Sequence, residues 1–359
     1  MRIVHVLGTR PNFVKMAPVI AAVAAELPDC EQVVVHTGQH YDRMMSQIFF
    51  EELGVPEPDH MLEVGSGSHA QQTARVMERL EPLLVDSRPD LVVVPGDVNS
   101  TMAASLTAVK LDIPVAHLES GLRSFDRSMP EEVNRVLTDA ISDHLYIHSE
   151  DARRNLSREG IPGEKIHMVG NTMIDSLVAL EDRFRALDAC SGHGVNPGEY
   201  LLVTLHRPAL VDGPLLFEAV EALERVATRM PVLFPVHPRT KARLAGREAA
   251  GPGLKLIDPV GYLEFLSLEA DAGAVLTDSG GIQEETTYLG IPCFTLRANT
   301  ERPVTIELGT NVLLGLDPAR ITGIPDLIAE RSGDRPTPPP FWDGRAAYRI
   351  ADHIAGLAP

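Results

Sequence analysis

Cationic residues are in deficit: Lys and Arg number 32 against 50 Asp and Glu, a formal net charge of −18 in 359 residues. Binding to nucleic acid wants a basic surface to meet phosphate, so that class of partner is excluded. A small phosphorylated ligand is not, because one site can be positive within an acidic protein. Cysteine is scarce as well. Cys30, Cys190 and Cys293 are far apart and odd in number, with neither metal-ligand spacing nor a disulfide framework, which fits a reducing cytoplasm. Long apolar runs are also missing. No run reaches ~18 residues, so no membrane-spanning helix is expected. The opening MRIVHVLGTRPN has too short an apolar stretch for a signal peptide. No P-loop lysine motif and no H-E-x-x-H occurs.

What is present is an ordinary globular composition, 44% apolar and 23% charged. At roughly 150 residues per domain the length suggests two domains. Short apolar runs alternate with segments of helical period. IVHVLG (3–8) precedes Phe13–Leu27, QVVVHTG (32–38) precedes Asp42–Leu53, and LVVVPGD (91–97) precedes Ser100–Lys110, with a longer helix over Ala70–Leu84. PVAHLES (114–120), HLYIHS (144–149) and IHMVGN (166–171) follow. The rhythm restarts with YLLVTLHR (200–207) before Leu215–Thr228, then VLFPVHP (232–238), LKLID (254–258), AGAVLTDSGG (272–281) and PCFTL (292–296). This alternation is that of βαβ units on a parallel sheet. A helix over about 173–188 and the Gly-rich connector 190–200 lie between the halves, with the domain change near Val169–Asp175. The expected domains are therefore 1–170 and 171–344, with a Pro-rich loop over 331–346 and a last short helix at about 345–359.

Two doubly wound domains carry ligands beyond the C-terminal ends of their strands, toward a shared crevice. The candidate residues are therefore those at which apolar runs stop. In VLGTRPNFVKMAP (6–18), Arg10 and Lys15 stand at the start of a helix, where a phosphate would be attracted; a solvent-facing Arg is the alternative. In LTDSGGIQEE (276–285), Gly280 and Gly281 allow close approach to phosphate, Ser279 offers a hydroxyl, and Glu285 suits ribose hydroxyls. Helix capping by Asp278 or Ser279 explains part of the same pattern. Asp97 ends a strand and fits either a helix cap or a base. Glu119 holds the corresponding place after PVAHL. Ser128 with Glu131 reads as a capping box around Pro130. His117 and Arg123 are open between core and site. His206 ends the first strand of the second half, and His237 with Arg239 is a second possible anion contact.

One motif misleads. GSGSHA (65–70) matches the dinucleotide fingerprint, but a polar segment precedes it rather than a buried strand. It reads as a loop with Ser68 as cap, and a nicotinamide cofactor is not supported. The remaining constellation joins phosphate-binding groups with Asp97, Glu119, Glu131 and His206, a set suited to proton transfer on a phosphorylated ligand. Several carboxylates in one closed site cannot all stay ionised, so at least one should have a raised pKa.

GTRPNFVKMAP, GDVNST, HLESGLRS, MPEEVNR, GNTMID (170–175), LTDSGGIQEE and TERP (300–303) resemble, in order, the non-hydrolysing UDP-N-acetylglucosamine 2-epimerase family, from Arg2 to about Leu316. The resemblance implies a GT-B-like fold, two Rossmann-type domains facing a central cleft, with the C-terminal helix at about 345–359 packing back on the first. It implies interconversion of UDP-GlcNAc and UDP-ManNAc by elimination and re-addition of UDP through a 2-acetamidoglucal, with neither NAD nor a metal. Asp97, Glu119 and Glu131 match the family's catalytic acids and His206 its histidine near the diphosphate. Arg10, Ser279, Gly280 and Gly281 match phosphate-binding positions and Glu285 the ribose-binding one. Lys15 and Arg135 are supporting cations, and Phe265 matches a uracil-side position. A cytoplasmic homodimer serving polysaccharide, glycolipid or antibiotic sugar supply is the family expectation.

Two departures bear on substrate. In the better-known bacterial branch an arginine follows the Gln-His pair and a second substrate molecule binds nearby as activator; TGQHYDRMMS (37–46) has Tyr41-Asp42 there. After His206-Arg207 the family often has Arg-Glu, but Pro208-Ala209 stands here, which opens the substrate to a modified UDP-HexNAc such as a 2,3-diacetamido or 6-deoxy sugar. A hydrolysing epimerase, a GT-B glycosyltransferase and a non-catalytic UDP-sugar sensor are the rivals.

Overall fold

The chain divides into two units, Met1–Ala179 with Pro340–Pro359, and Leu180–Pro339. The computed structural model describes residues 1–38, 52–236, 238–244, 253–330 and 336–358. Most of the expected helix over Asp42–Leu53, Tyr41-Asp42, and the side chains of His237 and Arg239 lie outside the described residues.

The first unit holds strands β1 (Arg2–Leu7), β2 (Glu31–His36), β3 (His60–Met61), β4 (Leu91–Pro95), β5 (Val115–Leu118), β6 (His144–Ile147) and β7 (Ile166–Met168). They pair in parallel in the order β3-β2-β1-β4-β5-β6-β7. The near-continuous apolar runs follow from burial of both faces, since strand side chains alternate sides. Ile3, Leu7, Leu91 and Val93 enter one core with the helix Arg10–Glu26 and the last helix, Ala346–Ala355. Val4, Val6, Val92 and Val94 enter the opposite core with the helices His69–Ser87 and Asn99–Lys110.

The second unit holds β8 (Leu201–Thr204), β9 (Val232–Pro235), β10 (Leu254–Ile257), β11 (Ala274–Thr277), β12 (Cys293–Thr295) and β13 (Asn311–Leu313). Their order is β10-β9-β8-β11-β12-β13, again all parallel. The two Rossmann-type sheets expected from the alternation are present. The short strands β3 and β13 have too few apolar residues to stand out in sequence.

The expected helix over 173–188 is broken into Thr172–Ala179, Glu181–Arg185 and Ala189–Gly192, and the units part after Ala179. The reason is bonding that local periodicity does not carry. Ser176 donates to the Val14 carbonyl at 2.5 Å, and Asp175 accepts the N–H groups of Ala346 and Ala347 at 3.1 and 2.6 Å. These bonds attach the segment to the first unit. Among the described residues no helix is long and apolar enough to cross a membrane.

Candidate active site

In each sheet the strand order reverses beside the first strand, between β1 and β4 in one unit and between β8 and β11 in the other. Parallel sheets bind ligands beyond the strand ends at such a reversal. Lys15 follows β1 and Asp97 follows β4 at the first of these places, and His206 follows β8 and Ser279 follows β11 at the second.

In the first unit, Asn12 draws the end of β1 toward β4. Its Oδ1 accepts the Gly8 and Thr9 N–H groups at 3.0 Å each, and its Nδ2 donates to the Pro95 carbonyl at 3.3 Å. Arg10 is the exposed first residue of the helix Arg10–Glu26. About one turn further, Lys15 forms an ion pair with Glu119, each side chain only 9% exposed. Gly96 lies against that pair: an added Cβ would come 3.2 Å from Lys15 Nζ and 3.4 Å from Glu119 Oε2. Glu119, one residue beyond β5, has φ of +66°. The left-handed region costs a side-chain-bearing residue about 1–2 kcal/mol, and strain of this kind concentrates at functional sites.

Asp97 pairs with Arg135 of the helix Pro130–Ile141, and Arg135 also holds Glu132 at 2.8 Å. Asp97 does not cap the helix that follows it, Asn99–Lys110, which starts at Val98 without a side-chain cap. The capping box expected from Ser128 and Glu131 is likewise absent. Ser128 donates to Asp126 at 2.6 Å, and the helix begins after Met129. That one-residue shift puts Glu132 at the third helical position, where its carboxylate accepts the N–H groups of Ser124 and Phe125 at 2.9 and 2.8 Å. Glu131, half-buried in the first turn, takes no part in those bonds. His117 is fully buried between Asp139 and the Gly96 carbonyl, 2.7 Å from each. Arg123 lies 2.7 Å from the same Asp139. Burial alone would raise the Asp139 carboxyl, but His117 and Arg123 hold it below its ordinary value. His117 and Arg123 are thus scaffold that fixes the Gly96 turn.

In the second unit, Asp278 directly follows β11 and fastens the end of β8. Its Oδ2 accepts the N–H groups of His206 and Arg207 at 2.9 and 2.7 Å, and its Oδ1 lies 3.0 Å from His206 Nδ1. Burial would raise this carboxyl too, and the bonds from His206 and Arg207 hold it low. The helix Gly280–Leu289 starts after Ser279, whose own N–H turns back to Thr277 Oγ1 at 2.9 Å. Its first amides, those of Gly280 and Gly281 included, have no partner within the helix and suit an anion. A Cβ on Gly280 would come 2.5 Å from Arg302 Nη1, so the guanidinium rests on that glycine. Glu284 at 3.0 Å and Glu301 at 3.4 Å orient Arg302. Burial, with Arg297 nearby, pushes the buried-side guanidinium of Arg207 down.

Glu285 is buried and accepts the Tyr262 hydroxyl at 2.8 Å. Burial pushes its carboxyl up to about 7, against the Tyr262 bond. Glu269, fully buried, is raised well above its ordinary value by burial and by the Glu285 charge. Phe265, on the helix Tyr262–Ala270, is half-buried and donates its N–H to the Gly261 carbonyl at 2.9 Å. In the segment that mimics a dinucleotide fingerprint, Ser68 caps the helix His69–Ser87 and accepts the Gln71 N–H at 3.3 Å.

Four residues were not assigned a role from sequence: Asn12, Glu132, Arg207 and Arg302. Arg302 lay in the quoted TERP, and Arg207 beside His206. Their roles depend on which strand end they reach, and local spacing carries no such signal.

A family model described as UDP-N-acetylglucosamine 2-epimerase matches residues 23–355. The chain is 42% identical over 366 residues to the UDP-N-acetylglucosamine 2-epimerase of Methanocaldococcus jannaschii, covering 98% of each. It is 40% identical over 368 residues to the UDP-2,3-diacetamido-2,3-dideoxy-D-glucuronate 2-epimerase of Pseudomonas aeruginosa, covering 99% of this chain and 100% of the relative. The crystal structure of the M. jannaschii UDP-GlcNAc 2-epimerase in complex with UDP-GlcNAc and UDP is similar, with a TM-score of 0.89 at 41% identity over 99% of this chain and 100% of that one. The fold is accordingly GT-B-like in class, with two parallel-sheet α/β units.

Proposed function

The chain belongs to the UDP-N-acetylglucosamine 2-epimerase family, and on that premise we propose that it interconverts UDP-GlcNAc and UDP-ManNAc through a 2-acetamidoglucal. The observation that carries this reading is the gathering of Asp97, Glu119 and Lys15 at the strand reversal of the first sheet, with Glu119 in a strained backbone conformation. A base there takes the C2 proton as the C1–O bond breaks and its electron pair leaves with UDP. A proton then returns to the opposite face of C2, and a UDP oxygen re-forms the bond to C1. Asp97, Glu119 and Glu131 supply the proton-transfer groups. Arg10, Lys15 and Arg135 support negative charge in the first unit. In the second, His206, Ser279, Gly280 and Gly281 hold the diphosphate, Glu285 the ribose, and Phe265 lies on the uracil side. Arg302, resting on Gly280, adds a fixed cation to that anion site.

The test is proton exchange. Incubation with UDP-GlcNAc in D2O should place deuterium at C2 and yield UDP-ManNAc by NMR. Free ManNAc with UDP would instead mark a hydrolysing enzyme. A product formed only with a sugar acceptor, and without C2 exchange, would mark a glycosyltransferase.

A second substrate reading has its own support. Identity to the 2,3-diacetamido relative nearly equals that to the UDP-GlcNAc enzyme, and Pro208-Ala209 opens the short helix Pro208–Val211 directly after His206-Arg207. Turnover of a UDP-2,3-diacetamido sugar in preference to UDP-GlcNAc would establish it. We place the enzyme in the cytoplasm as a homodimer that needs neither NAD nor metal for turnover. Light scattering on the purified protein, and activity after exhaustive chelation, check the last two points.

A further inference from the structure

His144 and Tyr146 lie two residues apart on β6, and Tyr146 stands opposite His167 on the parallel edge strand β7. Residues two apart on a strand share a face, as do registered neighbours. His144, Tyr146 and His167 therefore stand on one face of the sheet edge. The last helix, Ala346–Ala355, covers that face with Ala347, Ile350, Ala351 and Ile354, in the same core as Tyr146. This packing brings His353, in its last turn, onto the two strand histidines. The ring centroids lie 3.9 Å apart for His167 and His353, 5.1 Å for His144 and His353, and 6.0 Å for His144 and His167.

One nitrogen from each ring lies within 4.8 Å of the other two. His167 Nε2 is buried without a hydrogen-bond partner, which is costly for a polar atom in this position. His353 Nδ1 lies 2.9 Å from Tyr146 Oη. An imidazole that gives its Nδ1–H to a phenolic oxygen keeps a lone pair on Nε2, the arrangement of histidines that bind metal. Burial holds all three imidazoles below their ordinary value. The nearest charges are of both signs: Asp143 and Asp352, Lys165 and Arg153. None of these histidines has a part in the reaction proposed above.

We propose that His144, His167 and His353 form a binding site for a divalent transition-metal ion, zinc by its all-imidazole donor set, which clamps the last helix to the edge of the first sheet. Imidazole suits zinc, copper and nickel rather than magnesium or calcium. Tetrahedral zinc, with nitrogens at about 2.0–2.1 Å, separates its ligand atoms by about 3.3 Å. The rings need close by at most about 1.5 Å, which side-chain rotation supplies, and water completes the shell.

The test uses the full-length protein after chelation, titrated with Co2+. One equivalent should give the visible absorption of tetrahedral cobalt, and one equivalent of Zn2+ should displace it and raise Tm. His167→Gln and His353→Gln should each weaken binding at least about tenfold, and Tyr146→Phe by about tenfold through loss of the partner of His353. His60→Gln, at an exposed histidine on β3, should change nothing. Absence of a stoichiometric tetrahedral spectrum in the wild type would overturn the proposal, whether or not any variant folds. So would binding that survives unchanged in both His167→Gln and His353→Gln.

Discussion

Asp175 accepts the backbone N–H of Ala347 at 2.6 Å, across 172 residues of chain, and thereby caps the last helix of the first unit. Burial pushes this carboxyl up to about 6 from an ordinary 3.8, although the N–H bonds of Ala347 and Ala346 oppose the shift. Below pH 3.8 the group is protonated both folded and unfolded; from there to about 6 only the folded state keeps the proton. Its contribution to stability is therefore full below the lower value and lost as pH rises through the upper one. The loss should total about 1–3 kcal/mol, at no more than ~1.4 kcal/mol per pH unit. Urea denaturation of wild type and Asp175→Asn at pH 4.5, 6 and 7.5 isolates this slope, which should vanish in the variant. A parallel pH dependence in both proteins would contradict it.

Lys15 and Glu119 are a nearly buried ion pair. Removing one partner of such a pair leaves the other uncompensated, at a cost of about 3–5 kcal/mol. Lys15→Met should cost that much, and adding Glu119→Gln should recover part of it. A double-mutant cycle by denaturation should give a coupling of about 1–3 kcal/mol. Additive effects would mean that the two charges do not sense each other in solution.

Glu131 and Glu132 are adjacent and should behave differently. Glu132 holds two backbone amides and Arg135, so Glu132→Gln should destabilise by about 1–3 kcal/mol. Glu131→Gln should leave Tm nearly unchanged. If Glu131 transfers a proton, that variant should lower kcat by roughly 10²–10⁴. Full turnover in Glu131→Gln would remove it from the chemistry.

Glu285 offers a pH signature of ligand binding. Its carboxyl is pushed up to about 7, and ribose hydroxyls bind best to the ionised form. UDP affinity should therefore rise with pH and level off above 7, with about a tenfold loss between pH 8 and 6. Calorimetry on wild type and Glu285→Gln measures this, as the part of the pH dependence that the variant loses. Identical pH curves would exclude ionisation of Glu285 as the cause.

Element type was legible because it is a local property. The apolar runs 3–8, 91–97 and 272–281 hold the strands Arg2–Leu7, Leu91–Pro95 and Ala274–Thr277, and their polar ends mark where a parallel sheet exposes residues to a ligand. Asp97, Glu119, His206 and Ser279 were singled out in that way. Where two local explanations competed, the choice was decided elsewhere. The capping box at Ser128 failed because Asp126 takes the Ser128 hydroxyl and the helix starts one residue later.

The sequence alone determined the alternation of strand and helix, the candidate residues at strand ends and, through ordered motifs, the family. Only the tertiary structure decided partners. Lys15 meets Glu119 because the order β1-β4-β5 brings a helix after β1 near the end of β5. His117 proves to be scaffold because Asp139, a helix away, meets its ring. His353 reaches His144 and His167 because an apolar helix face must cover the edge of the sheet. The physical reason is common to all three. A residue's period and neighbours set its own backbone, whereas strand order and helix packing set which distant side chain it finds.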